Sequence, residues 1–210
     1  MAVQNKVSLP VIKRLPKYYR YISDMKKNGV TKVSSSELAN SMGTTASQVR
    51  QDFNCFGGFG QQGIGYNVDV LLEEISTLLF SANKLDTILI GTGRLGRAIS
   101  GYLTAEAKGY HLVAAFDQSK DEIGQVLCGE HIRDIAELES FCKKAKPTVA
   151  VLCIPRASAQ ALAPTLVALG IKGFWNFSHY DLSVVYPEVT VENVHLGDSL
   201  MSLGYRVRND

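Results

Sequence analysis

No stretch of this sequence approaches the ~20 consecutive apolar residues that a helix needs to cross a bilayer, which argues against a membrane span. Its N-terminus has neither a long apolar run nor a cleavage-like site, so a cytoplasmic location is expected. The four cysteines (Cys55, Cys128, Cys142, Cys153) are scattered, with no C-x-x-C, and His111, His131, His179 and His195 stand at no ligand spacing to them. No metal site and no disulfide is therefore expected, and the pattern suits a reducing compartment. The chain as a whole lacks an excess of either charge, with 22 Lys/Arg against 20 Asp/Glu, but its parts do not. Residues 1–53 carry 9 Lys/Arg and 3 Asp/Glu, net +6, whereas residues 54–210 carry 13 and 17, net −4. A basic N-terminal module suggests a polyanionic partner; a solvated basic helix face is the plainer alternative. With 210 residues, 46% of them hydrophobic, the chain has room for two small globular domains.

What is present centres on residues 86–96, DTILIGTGRLG. A short apolar run (Ile88, Leu89, Ile90) enters Gly91-Thr92-Gly93-Arg94-Leu95-Gly96, and a helix-like segment follows. This is the strand–turn–helix setting of a dinucleotide fingerprint: Gly91 for the tight turn, Gly93 for approach of a pyrophosphate, Gly96 for close helix–strand packing. The helix N-terminus would meet the phosphates with its backbone N–H groups. Tyr110–Phe116 reads as the next strand, with Asp117 at its end, about 20 residues on, where an acid bonds the adenosine ribose. Asp117 disfavours a 2′-phosphate, so NAD(H) is expected over NADP(H). A structural turn and a solvated loop aspartate are the alternative.

Before the fingerprint, residues 9–28 read as a helix with Tyr18, Tyr19, Ile22 and Met25 on one face and Lys13, Arg14, Lys17 and Arg20 mixed in. Ser34-x-x-Glu37 is a capping box opening a short helix to Met42. Gly43 breaks it, and Thr44 or Thr45 caps a second helix, Ala46 to about Phe53. Val49 and Phe53 point inward there, leaving Ser47, Gln48, Arg50 and Gln51 outward. Two short helices across a glycine turn match a helix-turn-helix, in which Arg can read guanine and Gln adenine. Small helical domains that never meet DNA share the pattern. With Lys13 and Arg14, these residues are the candidate DNA contacts. Residues 56–66 (FGGFGQQGIGY) read as a glycine-rich hairpin, a wing with Gln61 and Gln62 at its tip. An amphipathic helix from Asp69 to Phe80, capped by Asn67 or Asp69, leads to the second domain.

The remainder has βαβ rhythm: strand 88–91, helix 94–107, strand 110–116, a short strand near Glu130, helix 135–144, strand 148–154, helix 157–169 and strand 173–177. In such sheets ligands sit beyond the strand C-termini, which puts Pro155, Asn176 and Phe177 near a nicotinamide. Pro155 also reads as a strand stop and Asn176 as a turn residue. After Val191 a short terminal helix carries Leu196, Leu200, Met201 and Leu203 and must pack on its own domain or on a partner subunit. The expected organisation is α/β: an N-terminal winged helix-turn-helix (1–84), a Rossmann parallel sheet (85–190) and a C-terminal helix (191–210).

Taken in order, RLPKYYRY (from Arg14), SSSELA, VRQDF (Val49–Phe53), FGGFGQQGIGYNV, GTGRLGRA, IPRASAQ (Ile154–Gln160), GIKGFWNF (Gly170–Phe177) and VENVHL cover nearly the whole chain. Together they resemble the Rex family of bacterial redox-sensing transcriptional repressors. The resemblance implies a homodimer with a swapped C-terminal helix. It implies binding to double-stranded palindromic operator DNA when NADH is low, and release when NADH rather than NAD+ is bound. It places Gly91–Gly96 on the pyrophosphate, Asp117 on the ribose, Arg50 with Gln48 and Gln51 in the recognition helix, and Arg14, Tyr66 and His195 at the interdomain switch. The chain departs from the family in having neutral Gln51, Gln61 and Gln62 where basic residues are frequent, and His195 where an aspartate pairs with the Arg14 position. Fewer phosphate contacts and a shallower salt dependence follow. A closed apolar pocket of Phe177, Tyr66 and the partner's Leu196 and Leu200 is expected to reject the charged nicotinamide of NAD+. Two rival classes are an NAD-dependent dehydrogenase and a CoA-binding regulatory domain. The first lacks a Y-x-x-x-K pair, a substrate domain and any catalytic residue that can be named; Asp117 speaks against the second.

Overall fold

The computed structural model describes residues 7–56, 65–80 and 83–209. The chain divides into two compact units, Met1–Ala82 and Asn83–Asp210.

The first unit is built on helices. Helix α1 (Leu9–Lys27) has a proline in its first turn, where a missing N–H costs nothing, and runs on through Pro16. Its buried residues Val11, Leu15, Tyr18 and Ile22 recur at helical spacing. Strand β1 (Lys32–Val33) leads to α2 (Ser35–Met42), opened by the complete Ser34/Glu37 capping box. Gly43 then turns the chain in the left-handed region, φ 63°, and Thr44 N–H donates to the Ala39 carbonyl at 3.0 Å. Thr45, not Thr44, caps α3 (Ala46–Asn54). Leu38, Ala39, Met42, Val49 and Phe53 join Leu15, Tyr18 and Ile22 in one core. Each fully buried Leu, Ile or Phe there contributes about 1.5–3 kcal/mol. Strand β2 (Tyr66–Asn67) pairs antiparallel with β1, and Asn67 caps α4 (Val68–Leu79). Lys26 meets Asp69 at 2.7 Å, joining α1 to α4. The tip expected for the wing, with Gln61 and Gln62, lies outside the described residues.

The second unit is a parallel sheet. Its elements are β3 (Leu85–Ile90), α5 (Arg94–Ala105), β4 (Tyr110–Asp117), β5 (Val126–Leu127), β6 (Glu130–His131), β7 (Arg133–Asp134), a 3-10 turn (Ile135–Glu137) and α6 (Leu138–Ala145). They continue with β8 (Val149–Leu152), α7 (Arg156–Ala168), β9 (Gly173–Asn176), α8 (Leu182–Val185), β10 (Thr190–Asn193) and α9 (Leu196–Asn209). The six-stranded sheet has the order β10-β9-β8-β3-β4-β7, every pair parallel. Strand β8 is buried at all four positions and the last four residues of β3 are buried too, as strands covered on both faces require. From β3 the chain first winds toward β4 and later returns to β3's other side with β8. The C-terminal end of β3 is thus the switch point of the sheet, where a crevice opens.

Helix α9 runs unbroken through Gly197 and Gly204 and buries no residue within the chain. Leu196, Leu200, Met201, Leu203, Tyr205 and Val207 are all exposed. The sheet also carries β10, and the chain α8, neither of which the sequence signals.

Candidate nucleotide and nucleic-acid sites

The glycine turn after β3 is shaped by steric necessity. Gly91 has φ +91°, and a Cβ there would lie 2.5 Å from the Cys153 carbonyl oxygen. A Cβ on Gly96 would lie 1.9 Å from the Gly91 oxygen, so α5 starts as close to its strand as a backbone can. At Gly93 a Cβ would meet nothing within 4 Å: that position faces open space. Gly93 is also the N-cap of α5, with no side-chain cap. The first amides of the helix have no partner within it, and with the helix dipole they suit an anion.

Beside this turn is a cavity of about 400 Å³, within the size range of small-molecule sites. Ile90, Gly91 and Gly93 line it from β3 and its turn, Asp117 and Gln118 from the end of β4, and Cys153, Ile154 and Pro155 from the end of β8. Ile135, Ser158, Ala161 and Leu162 complete the wall.

Asp117 is held from three directions. One carboxylate oxygen accepts from Thr92 N–H at 2.6 Å and Thr92 Oγ1 at 2.8 Å. The other accepts from the N–H groups of Gln118 and Ser119 at 2.8 and 2.9 Å. Burial pushes this carboxyl up, but the donors outweigh it and leave the group below the usual carboxylate range. Arg97, on the first turn of α5, donates to Glu122 at 2.5 Å and to Gln125 at 2.6 Å. Thr92 Oγ1 lies 3.4 Å from the same Glu122 oxygen and so stands between the two carboxylates. At the β8 end, burial pushes the Cys153 thiol up to about 12.

Of the residues expected at a nucleotide, Gly91, Gly93, Asp117 and Pro155 come together on this cavity. Thr92 is buried against Asp117, and Arg94, Leu95 and Gly96 form the first turn of α5. Phe177 is not on the cavity wall. It is buried in the core with Leu89 and Leu103, its ring 4.9 Å from Trp175. Asn176 is 0% exposed and donates to the Tyr180 carbonyl and Asn193 while accepting from Ser178, which fastens β9 to β10. Tyr66 is buried in the core of the first unit, its ring 5.0 Å from Phe53 and perpendicular to it. Within their own units both rings pack on core neighbours, Tyr66 on Phe53 and Phe177 on Trp175. His195 meets His179, Nδ1 to Nδ1 at 3.0 Å. Arg97, Glu122, Gln118, Ile135 and Ser158 were not singled out from the sequence; the sole hint was the position of Glu122, five residues after Asp117.

In the helix-turn-helix, Ser47, Arg50 and Gln51 are exposed along α3, and Lys13 is exposed on α1. Arg50 donates to Ser35 Oγ at 3.0 Å. Arg14 and Gln48, expected as DNA contacts, are instead turned to Asp52. Arg14 grips that carboxylate with two bonds of 2.6 Å, Tyr18 adds one of 2.8 Å and Gln48 another of 2.8 Å. Asp52 is 0% exposed, and a buried carboxylate requires such donors. Burial pushes it up, but the four bonds hold it below the usual range. These side chains lock α3 onto α1.

Residues 6–54 match the family described as "Putative DNA-binding protein N-terminus", and residues 82–180 the family described as "CoA binding domain". The chain is 45% identical over 210 residues to the redox-sensing transcriptional repressor Rex of Thermoanaerobacter pseudethanolicus, covering 100% of this chain and 93% of that one. It is 45% identical over 207 residues to the Rex repressor of Clostridium botulinum, covering 99% and 98%. Among solved structures, it is similar to RSP in complex with β-NAD+ and operator DNA, with a TM-score of 0.88, 44% identity and coverage of 97% and 93%. RSP in complex with β-NADH matches with a TM-score of 0.88, 42% identity and coverage of 97% and 95%. At this identity over the full length, the chain belongs to the Rex family of redox-sensing transcriptional repressors.

Proposed function

We propose that this chain is a redox-sensing repressor that holds a palindromic operator when NADH is low and releases it when NADH binds. One observation carries the reading: a helix-turn-helix with an outward Ser47, Arg50 and Gln51 and a glycine crevice closed by Asp117 occur in a single chain. The crevice suits NAD(H). Gly93 leaves room for a pyrophosphate where a Cβ would intrude, the α5 amides face it, and Asp117 stands at the ribose end. A ribose hydroxyl donating to Asp117 displaces one of its four present donors. Thr92 Oγ1 is the one with a second acceptor, Glu122, already in reach.

The bound nucleotide supplies the signal, a positive charge on the nicotinamide of NAD+ that NADH lacks. This chain's part is to make that charge matter. The β8 end of the cavity offers Cys153, Ile154 and Pro155 and, among the described residues, no carboxylate. The Cys153 thiol stays neutral because burial raises it to about 12. A cation placed there loses hydration without a counter-charge, so NADH binds more tightly. A full switch requires a differential affinity of about 10⁴ between the DNA-competent and released states.

The exposed apolar stripe of α9 is covered by a second copy, giving a homodimer with an exchanged C-terminal helix. Two recognition helices then address half-sites about one helical turn apart, or a multiple of it. The protein acts in the cytoplasm, where its operator is. The test is to titrate NADH and NAD+ separately against the full-length protein. Tighter binding of NADH is expected; equal affinities reject the apolar-pocket account of redox sensing.

A further inference from the structure

Asp117 disfavours a 2′-phosphate, but a cation beside it can offset that preference. A guanidinium near the ribose acid is the usual means of accepting one, and this chain has such a group. Arg97 lies on the first turn of α5, and its Nη2 is 2.5 Å from Glu122 Oε2. That oxygen is 3.4 Å from Thr92 Oγ1, which in turn is 2.8 Å from Asp117 Oδ2. The cation is therefore two side chains from the ribose carboxylate. Its Nη2 is directed to Glu122 and to Gln125 Oε1 at 2.6 Å. Along this chain of contacts one guanidinium meets two carboxylates, Glu122 directly and Asp117 through Thr92.

We propose that Glu122 is a specificity-determining residue for the nucleotide. By holding Arg97 and by adding a second negative charge beside Thr92, it denies a 2′-phosphate its cation. Asp117 bonds a free 2′-hydroxyl, and Glu122 engages a nearby guanidinium that would otherwise reward a phosphate in its place. The inference rests on the nucleotide reading above and adds to it a residue that does not line the cavity. Removing the Glu122 charge removes the ion pair that holds Arg97. The guanidinium can then turn to a phosphate with charge-assisted bonds, the strongest kind available at such a site. The Arg97 and Glu122 side chains are 36% and 25% exposed, so water weakens the effect.

The experiment titrates full-length wild type, Glu122→Gln and the double variant Arg97→Gln/Glu122→Gln with NADH and with NADPH, reading dihydronicotinamide fluorescence. In Glu122→Gln the ratio of NADPH to NADH affinity is expected to rise about tenfold, a change of about 1.4 kcal/mol. The double variant is expected to return the ratio to near the wild-type value, because the gain acts through Arg97. An unchanged ratio in Glu122→Gln, with NADH still bound, overturns the role of Glu122 and leaves the nucleotide reading intact. A gain that survives removal of Arg97 overturns it too. Failure of wild type to bind NADH at all overturns the nucleotide reading and this inference together.

Discussion

Gly93 and Gly96 are three residues apart in the same turn, yet replacing each with alanine tests a different property. At Gly96 a Cβ would be 1.9 Å from the Gly91 oxygen, a backbone atom that cannot swing aside. Relief requires α5 and β3 to separate by about 1 Å, a disturbance of the size that costs 1–3 kcal/mol or more when cores are overpacked. Urea denaturation of Gly96→Ala is therefore expected to show a loss of stability of roughly that size. At Gly93 nothing lies within 4 Å and the backbone, φ −61° and ψ −169°, is open to any residue. The only folding cost is the poorer N-cap, under about 1 kcal/mol. The added methyl group stands where the pyrophosphate must approach. Gly93→Ala is expected to fold like wild type and to lose NADH affinity by about 100-fold, or about 2.7 kcal/mol. Full NADH affinity in Gly93→Ala would refute the placement of the pyrophosphate on this turn. An unaltered unfolding curve for Gly96→Ala would refute the close approach of helix and strand.

Asp52→Ala leaves Arg14, Tyr18 and Gln48 without their shared acceptor. The expected loss is about 3 kcal/mol at pH 7, the low end for breaking a buried pair, because the Arg14 side chain is 33% exposed and can rehydrate. Since the folded carboxyl titrates below its unfolded value of about 3.9, the wild-type advantage is full above that pH and shrinks as pH falls through the folded value. Urea midpoints of wild type and variant at pH 7 and pH 3 should converge at the lower pH; a constant gap contradicts the network. Arg50→Ala removes an exposed guanidinium from α3 and is expected to weaken operator binding by about 1–3 kcal/mol in a gel shift while NADH affinity holds. Coenzyme A added in excess should leave NADH fluorescence unchanged; displacement would favour a CoA-binding reading of residues 82–180.

The parts legible in the sequence were those written in local rules. The Ser34/Glu37 capping box, the Gly43 turn and the apolar faces of α1 and α3 each depend on residues within a turn or two of one another. The fingerprint was equally legible, because Gly91, Gly93 and Gly96 answer steric demands set within six residues. What escaped depends on distant partners or on weak signals. Strand β10 is four residues long and half-exposed at its edge, so no apolar run announced it. Strand β1 is two residues long and is defined by its pairing with Tyr66 and Asn67. The pairing of Arg14 with Asp52 is not legible because the two lie 38 residues apart. The sequence places Phe177 beyond a strand end without showing which face it takes; its packing with Trp175 and with Leu89 of β3 depends on a neighbour from another strand. Arg97 and Glu122 are 25 residues apart and meet only because the β3–α5–β4 unit folds the end of β4 back beside the glycine turn.

The central claim is that occupancy of the glycine crevice by NADH governs the grip of the helix-turn-helix on DNA. A gel shift with the full-length protein on a palindromic operator, with NADH and NAD+ added separately at equal concentration, measures it directly. Release by NADH, with the complex intact in NAD+, is the expected result. An operator complex indifferent to NADH, in a protein shown to bind it, would contradict the account.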